Sequence, residues 1–495
     1  MHEEQTSALS TKELLIRGAI MAAITTMVAM SANAAGFNRD QIVSSSVFAM
    51  IISATLLFWQ FRLAIAFIGI SALLGFKVMT LESFVQKCEL DIILFLVGMM
   101  VTVGVLKELG LFTWIIQTIL GMERMNGTLF VVILCLVSAL MACTVDEVTS
   151  IIFTCTLIFQ VCDTLKICPK PFVLISIMAT NIGSCGTMLG NPVGLLIGKN
   201  GRFTFMEFLH WSFPIMMVSL IVTTILLVFW YRKEIHELTE KLQARRSMGL
   251  TLGPLVAVPY KRALFILLGS GALIASHHFL EQLLGVDDNT FLIVAPLFIA
   301  GILMIWRNQR ARHYIEVEVE WWTLLFFMML FAVAGTLEHT QVTSRIAGSF
   351  GRQFGASPGL LTPVVLFGSA IGSAFVDNVV FVAAAIPVVK ELNQFNLWWA
   401  LLIGGCFGGN ITLIGSTANI VALGMLEKQY RMRISFLEWL KIGLVAGVVS
   451  GLTAWGGLTV LRGFMPDEWN RGGESIHHSE AARGRQDGIT MPISK

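Results

Sequence analysis

Apolar stretches nearly long enough to cross a bilayer alternate along the chain with short polar, mostly basic interruptions. A helical crossing takes about 20 apolar residues, because roughly 30 Å of hydrocarbon is covered at about 1.5 Å per residue. Eleven runs meet that test: 15–33, 41–58, 61–76, 91–118, 172–198, 205–231, 261–283, 290–306, 320–345, 397–425 and 436–463. Two further apolar pieces, 128–163 and 358–391, are interrupted near their middles, the first by Asp146 and Glu147 and the second by Asp377. Neither reads as a clean crossing, and each is expected to form a re-entrant hairpin that returns to its own side.

Composition agrees with this pattern. With 495 residues, 55% hydrophobic and 13% charged, the chain is too apolar for a soluble protein of its size and is expected to be an all-α membrane protein. A net charge of +2 offers no basic field, so nucleic acid is excluded as a partner. Nearly all of the eight cysteines lie in apolar stretches and read as reduced packing residues. No zinc-protease or nucleophile-elbow motif is present, so the chain is not expected to be an enzyme, to hold a metal or to need a cofactor.

Basic loops are held on the cytoplasmic side. With the N-terminus inside and each hairpin returning to its own side, the cytoplasmic basic positions are Arg62, Arg124, Lys166, Lys170, and those of 232–260, 307–319 and 428–433. This places a multi-pass chain in the inner membrane with its C-terminus outside. Lys12, Arg17 and Ala32-Asn33-Ala34 imitate a signal peptide, but the segment is read as a retained first span. Trp321, Trp322, Trp398 and Trp399 are expected to anchor at membrane boundaries, and Lys107, Glu108 and Glu338 to be interfacial or paired.

The two halves repeat. Ser138 to Glu147 lies over Ser369 to Asn378 without a gap, at 377 − 146 = 231, and Glu89, Gly104 and Leu106 match Glu320, Gly335 and Leu337 at the same spacing. Downstream, Gly183, Thr187 and Gly190 pair with Gly408, Thr412 and Gly415 at 412 − 187 = 225. The hairpins enter from opposite sides, so the repeat is inverted, as in many secondary transporters. The resulting division is an N-terminal segment with the first span, 1–40; a first repeat, 41–231; a cytoplasmic linker, 232–260; a second repeat, 261–463; and a polar, disordered tail, 464–495, carrying His477 and His478.

Asp146, Glu147 and Asp377 would each cost about 2.5 to 3.5 kcal/mol at the centre of a spanning helix. They either cap the helices that follow or serve transport, and the two readings are compatible. Asn181 to Pro192 and Gly408 to Asn419 combine Gly, Asn, Thr and Pro inside long apolar runs and are expected to unwind. Their glycines alone would also fit close helix packing.

The segments Ser373–Val389, Gly408–Glu427 and, more weakly, Thr180–Gly198 resemble the hairpin and broken-helix signatures of the arsenite efflux permease (ArsB), P-protein and NhaD branches of the ion transporter superfamily. The resemblance runs from about residue 41 to 463. It implies an inverted-repeat fold with two re-entrant hairpins and broken helices, elevator-type movement and often a homodimer, and leaves open an ATPase partner on the cytoplasmic loop. Where the related divalent-anion symporters carry Ser-Asn-Thr tips, this chain has Asp146-Glu147-Val148 and Asp377-Asn378-Val379, which disfavours a dicarboxylate. Glu147 and Gly190-Asn191-Pro192-Val193-Gly194 also depart from the related permeases. The leading expectation is proton-coupled efflux of arsenite or antimonite, with sodium/proton antiport as the alternative. Asp146, Glu147 and Asp377 would carry protons, and Thr187, Asn191, Asn378, Thr412, Ser416 and Asn419 would hold the solute's hydroxyls.

Overall fold

The computed structural model describes residues 10–58, 61–122, 124–248, 260–286, 290–354, 358–466 and 468–469, with the side chains of 350–354 and 358 excepted. The start of the N-terminal segment, part of the linker and the tail beyond Trp469, with His477 and His478, lie outside the described residues; the first residues of the tail are not disordered as expected, since Trp469 packs against Trp398 and its indole N–H donates to the Gly201 carbonyl at 2.9 Å. Within the described residues the fold is helical, apart from one bridge between Gln394 and Glu468.

Three helices lead, α1 (Thr11–Ala34), α2 (Arg39–Leu57) and α3 (Arg62–Gly75). Next come α4 (Leu81–Lys87), α5 (Leu90–Glu108) and α6 (Leu111–Leu120), then the arms of a hairpin, α7 (Gly127–Thr144) and α8 (Glu147–Leu165). A broken span follows as α9 (Lys170–Gly183) and α10 (Pro192–Gly201), and α11 (Phe205–Glu207) leads into α12 (Phe213–Trp230). The polar helix α13 (Arg232–Ser247) begins the link to the second half: α14 (Tyr260–Ala275), α15 (His277–Leu284), α16 (Thr290–Trp306), α17 (Ala311–His313), α18 (Trp321–His339) and α19 (Val342–Phe354). A second hairpin, α20 (Pro358–Phe375) and α21 (Asn378–Leu392), a second broken span, α22 (Phe395–Gly408) and α23 (Thr417–Tyr430), and α24 (Phe436–Leu461) complete the chain.

The helix starts reproduce the sequence repeat. Leu90, Leu111, Gly127 and Glu147 open helices whose counterparts open at Trp321, Val342, Pro358 and Asn378, each at 321 − 90 = 231. Lys170 and Pro192 correspond to Phe395 and Thr417 at 395 − 170 = 225. The difference has a visible source: α8 has 19 residues against 15 in α21, and its connector, 166–169, is longer than 393–394. The fold is therefore the expected inverted repeat, with two hairpins and two broken spans.

Eight described helices are long and apolar enough to cross a bilayer, or ten if two bent pairs count as one span each. The eight include α7 and α8, both arms of the first hairpin, whereas each half of a broken span is too short to qualify. About eleven spans remains the topological reading, because length alone cannot join two halves across a break.

Several local expectations change. The 91–118 run is a span plus a short helix, turned at Gly110, whose φ of 78° suits a residue without a side chain. Trp398 and Trp399 are not boundary anchors: both are fully buried, with Phe203 packed against each and Phe208 against Trp399. Trp321 and Trp322 are exposed. Lys107 pairs with Glu318 at 3.2 Å, Lys87 with Glu338 at 3.0 Å, and Glu108 with Arg307. Arg62, counted with the cytoplasmic loops, is only 2% exposed.

Each broken span packs against the first arm of its own hairpin. At Gly183 an added Cβ would meet the carbonyl of Ala139, and at Gly408 that of Ala370, positions related by the repeat. Gly183→Val and Gly408→Val should each cost about 1–3 kcal/mol by overpacking. Gly424→Ala, where nothing lies within 4 Å, should not. Thermal unfolding of the detergent-solubilised protein checks this, and an equal loss in all three variants would show that the close approach is not what matters.

Candidate functional site

The two breaks, 184–191 and 409–416, place peptide groups without helical partners inside the molecule. In hydrocarbon such groups need partners from the protein itself, and nearby side chains supply them. In the first break the Asn191 side chain accepts from the Gly194 N–H at 3.0 Å and donates to Ser184 at 3.2 Å, while Ser184 donates to the Asn181 carbonyl at 3.0 Å. In the second, Asn419 donates to the carbonyls of Gly409 and Thr412 at 2.7 and 3.1 Å, and Ser416 accepts from the Ala418 N–H at 3.2 Å.

Two repeat-related bonds join the breaks to the hairpins. The Thr187 hydroxyl donates to the Cys143 carbonyl, and the Thr412 hydroxyl donates to the Ala374 carbonyl. The breaks are also joined to each other, because the Asn181 amide donates to the side-chain oxygens of Asn410 and Asn419, both at 3.0 Å. Trp439 then holds the Asn410 carbonyl at 3.0 Å. Hairpin tips and breaks thus form one hydrogen-bonded unit.

Four helices begin in this region, α8, α10, α21 and α23, and each is capped by a side chain. Asp146 accepts from the Thr149 N–H at 2.7 Å. Asp377 accepts from the Val379 N–H and from the Thr417 hydroxyl, both at 3.1 Å. A helix N-terminus carries roughly half a positive charge, so carboxylates there are stabilised where an isolated one would not be. The capping reading of the acids therefore holds, and it coexists with a place in the site.

A cavity of about 420 Å³ reaches these helix starts. Asp146, Glu147 and Asn191 line it, with Val379, Thr417 and, from the facing wall, Glu320 and Thr323. Apolar residues of α5, among them Phe95 and Met99, form much of the opposite side, and Lys107 and Glu318 also contribute to the wall. Glu147 is 4% exposed and its Oε2 has no hydrogen-bond partner. Its electrostatic neighbours are Asp377, Asn191, Asp146 and Asn378.

The expected site residues thus separate into groups. Asp146, Glu147 and Asn191 face the cavity; Asp377 and Asn378 stand beside Glu147. The hydroxyls of Thr187 and Thr412 are engaged by carbonyls of the hairpins, Ser416 by backbone at the second break, and Asn419 by the backbone of that break and the Asn181 side chain. Three further residues belong to the region: Asn181 at the junction, Glu320 on the cavity wall, and Arg62, whose electrostatic neighbours are Asp377 and Glu320. Asn181 stood within a sequence motif. Glu320 stood in the sequence only as the repeat partner of Glu89 at the head of an apolar run, and Arg62 was counted with the cytoplasmic loops. The described cysteines are free thiols, and only Cys168 is exposed. Among the described residues no cluster of His, Cys, Asp and Glu is arranged to hold a metal.

A family model described as CitMHS, citrate transporter, matches residues 47–404. A 46 kDa membrane protein of Mycobacterium leprae is 31% identical over 73% of this chain and 83% of its own length. An uncharacterized transporter of Mycobacterium tuberculosis is 30% identical with the same coverage. The human P protein is 26% identical over 75% of this chain and 53% of its own length. Among solved structures, the Alcanivorax borkumensis YdaH transporter, described as having an unusual topology, aligns with a TM-score of 0.50 over 86% of this chain and 99% of its own, at 15% identity. That likeness concerns the fold.

If Thr187 and Thr412 act as braces, Thr187→Val and Thr412→Val should each lower stability by about 1–3 kcal/mol through an orphaned carbonyl. Thermal unfolding with and without solute separates the roles: weakened solute binding at unchanged stability would identify them as ligands instead.

Proposed function

The chain belongs to the CitMHS citrate-transporter family, and from that premise we propose that it is a proton-coupled secondary active carrier of the inner membrane that exports arsenite or antimonite. The observation that carries the coupling is Glu147, a buried carboxylate on the cavity wall with an unpartnered oxygen. Such a group is stable only when it takes a proton or meets a cation. Asp146 on the same wall and Asp377 beside Glu147 give the proton neighbouring carboxylates.

The cargo is inferred from the signatures together with the charge of the cavity. Trivalent arsenic in neutral water is mostly an uncharged trihydroxide, which an acidic wall does not repel. Asn191, Thr149 and Thr417 line the cavity and offer neutral donors and acceptors to hydroxyl groups. A bare tricarboxylate would meet Asp146, Glu147 and Glu320 at short range and be repelled unless they were first protonated. Sodium is the second reading, favoured by the same unpartnered oxygen of Glu147, since hard cations take carboxylate oxygens.

Movement is of the elevator type. The hydrogen-bonded unit of hairpins and breaks acts as a transport domain, and α2 to α6 with α14 to α19 act as the scaffold. Under the basic-loop orientation, the end of α5 that bears Lys107 faces the cytoplasm, so the cavity is the inward-facing one. Protons would enter from outside and leave inside, with the membrane potential contributing about 2.3 kcal/mol per charge for each 100 mV.

Proteoliposomes with an acidic interior, offered arsenite, sodium or citrate, test the reading. Arsenite uptake with proton release is expected, and Glu147→Gln should reduce it to background while insertion stays intact. Proton movement driven by sodium or citrate, without a response to arsenite, would overturn the cargo assignment. Unaltered exchange in Glu147→Gln would remove Glu147 from the coupling scheme.

A further inference from the structure

The boundary between transport domain and scaffold is bonded on one side and open on the other. The cavity lies towards the Lys107 end of α5. At the opposite, outer end of that helix the scaffold meets the end of α10: the Lys199 ammonium donates to Glu89 and lies 2.5 Å from a carboxylate oxygen of Asp91. A second bond crosses the same boundary from α19 to the base of α21, where the Ser344 hydroxyl donates to Glu391 at 2.7 Å. Lys390 donates to the Asn200 side chain at 2.9 Å, so the neighbours of Glu391 and Lys199 are tied together and the two attachment points move as one piece.

The repeat shows what the same contacts become on the inner side. Glu89 corresponds to Glu320 and Ser344 to Thr113, at 320 − 89 = 231 and 344 − 113 = 231, and both counterparts line the cavity. Ile92, one residue beyond Asp91 and only 3% exposed, corresponds to Thr323, which also lines the cavity. Residues that close the outer side therefore have equivalents that face open space on the inner side. The cation is different: Lys199 falls on Gly424, at 424 − 199 = 225, and Asp91 falls on Trp322. An ion triad thus closes the outer side, and its repeat positions hold no ammonium with which to close the inner one.

We propose that Lys199 is a positioning residue that latches the transport domain to the scaffold through Glu89 and Asp91, holding the inward-facing arrangement. Moving outward breaks the triad, and no equivalent triad forms over Glu320 in return. The latch rests on the carrier reading for its orientation and its movement, but it is independent of the cargo.

The outward-facing arrangement can be read from Ile92→Cys, labelled with a membrane-impermeant maleimide from the outer face of right-side-out vesicles in the absence of solute. All three members of the triad are partly buried and two carboxylates share one ammonium, so Lys199→Gln should raise the labelling rate roughly three- to tenfold. Lys199→Arg should return it close to the parent rate. With Glu89→Gln and Asp91→Asn already present, Lys199→Gln should add nothing. Unchanged labelling in Lys199→Gln, an independent increment in the triple variant, or an equal rise at the buried Cys155, which marks general loosening, would overturn the latch. Exchange of arsenite for protons in proteoliposomes reports the carrier reading separately. The expected labelling in a protein that moves no arsenite would retire the cargo and leave the latch standing, whereas unchanged labelling in one that does would overturn the latch alone.

Discussion

Hydrocarbon provides no partner for an opened peptide group, and that single constraint organises the centre of this molecule. Each broken span exposes N–H and C=O groups near the middle of the membrane domain, and the protein answers them with Thr, Asn and Ser side chains of its own. Because two of those answers reach the hairpins, through Thr187 to Cys143 and Thr412 to Ala374, break and tip cannot move apart without stranding a carbonyl. Asn181 extends the same logic across the repeat by bonding Asn410 and Asn419. A site with a defined shape follows from the need to satisfy backbone.

Its charge follows from the same geometry. Breaking two spans and folding two hairpins brings four helix starts together, and helix starts favour negative charge. Asp146 and Asp377 occupy capping positions, whereas Glu147 lies one residue further and keeps an oxygen unengaged. A cap is satisfied by its own helix. A carboxylate in the first turn, buried and turned to a cavity, keeps an oxygen that its own helix does not use.

How much of this was legible in the sequence depended on what lipid permits. The hairpins, breaks and repeat could be read because polar residues inside an apolar run have few explanations in a membrane. The positions of Asp146, Glu147 and Asp377 at hairpin tips could be read for the same reason. Arg62 could not: counting basic residues assigns the start of a run to water, yet α3 has only 14 residues and begins inside the protein. Trp398 and Trp399 misled in a related way. An indole suits a headgroup boundary, but α22 is enclosed on all sides, and no residue of it is exposed to lipid or water. Thr187 and Thr412 read as solute ligands, and nothing in the sequence marked their hydroxyls as also reaching the carbonyls of Cys143 and Ala374, which lie far away along the chain.

The repeats are not of equal length, since α8 extends beyond its counterpart α21 and the base of its hairpin is tied to α13 by the Gly127 N–H bonded to Thr239. Exchanging the shapes of two such halves does not regenerate the starting object seen from the other leaflet. The end points of any such exchange therefore differ in energy before a gradient is imposed. For the elevator movement proposed above, such an asymmetry means a preferred idle position, set by a handful of extra residues at one edge.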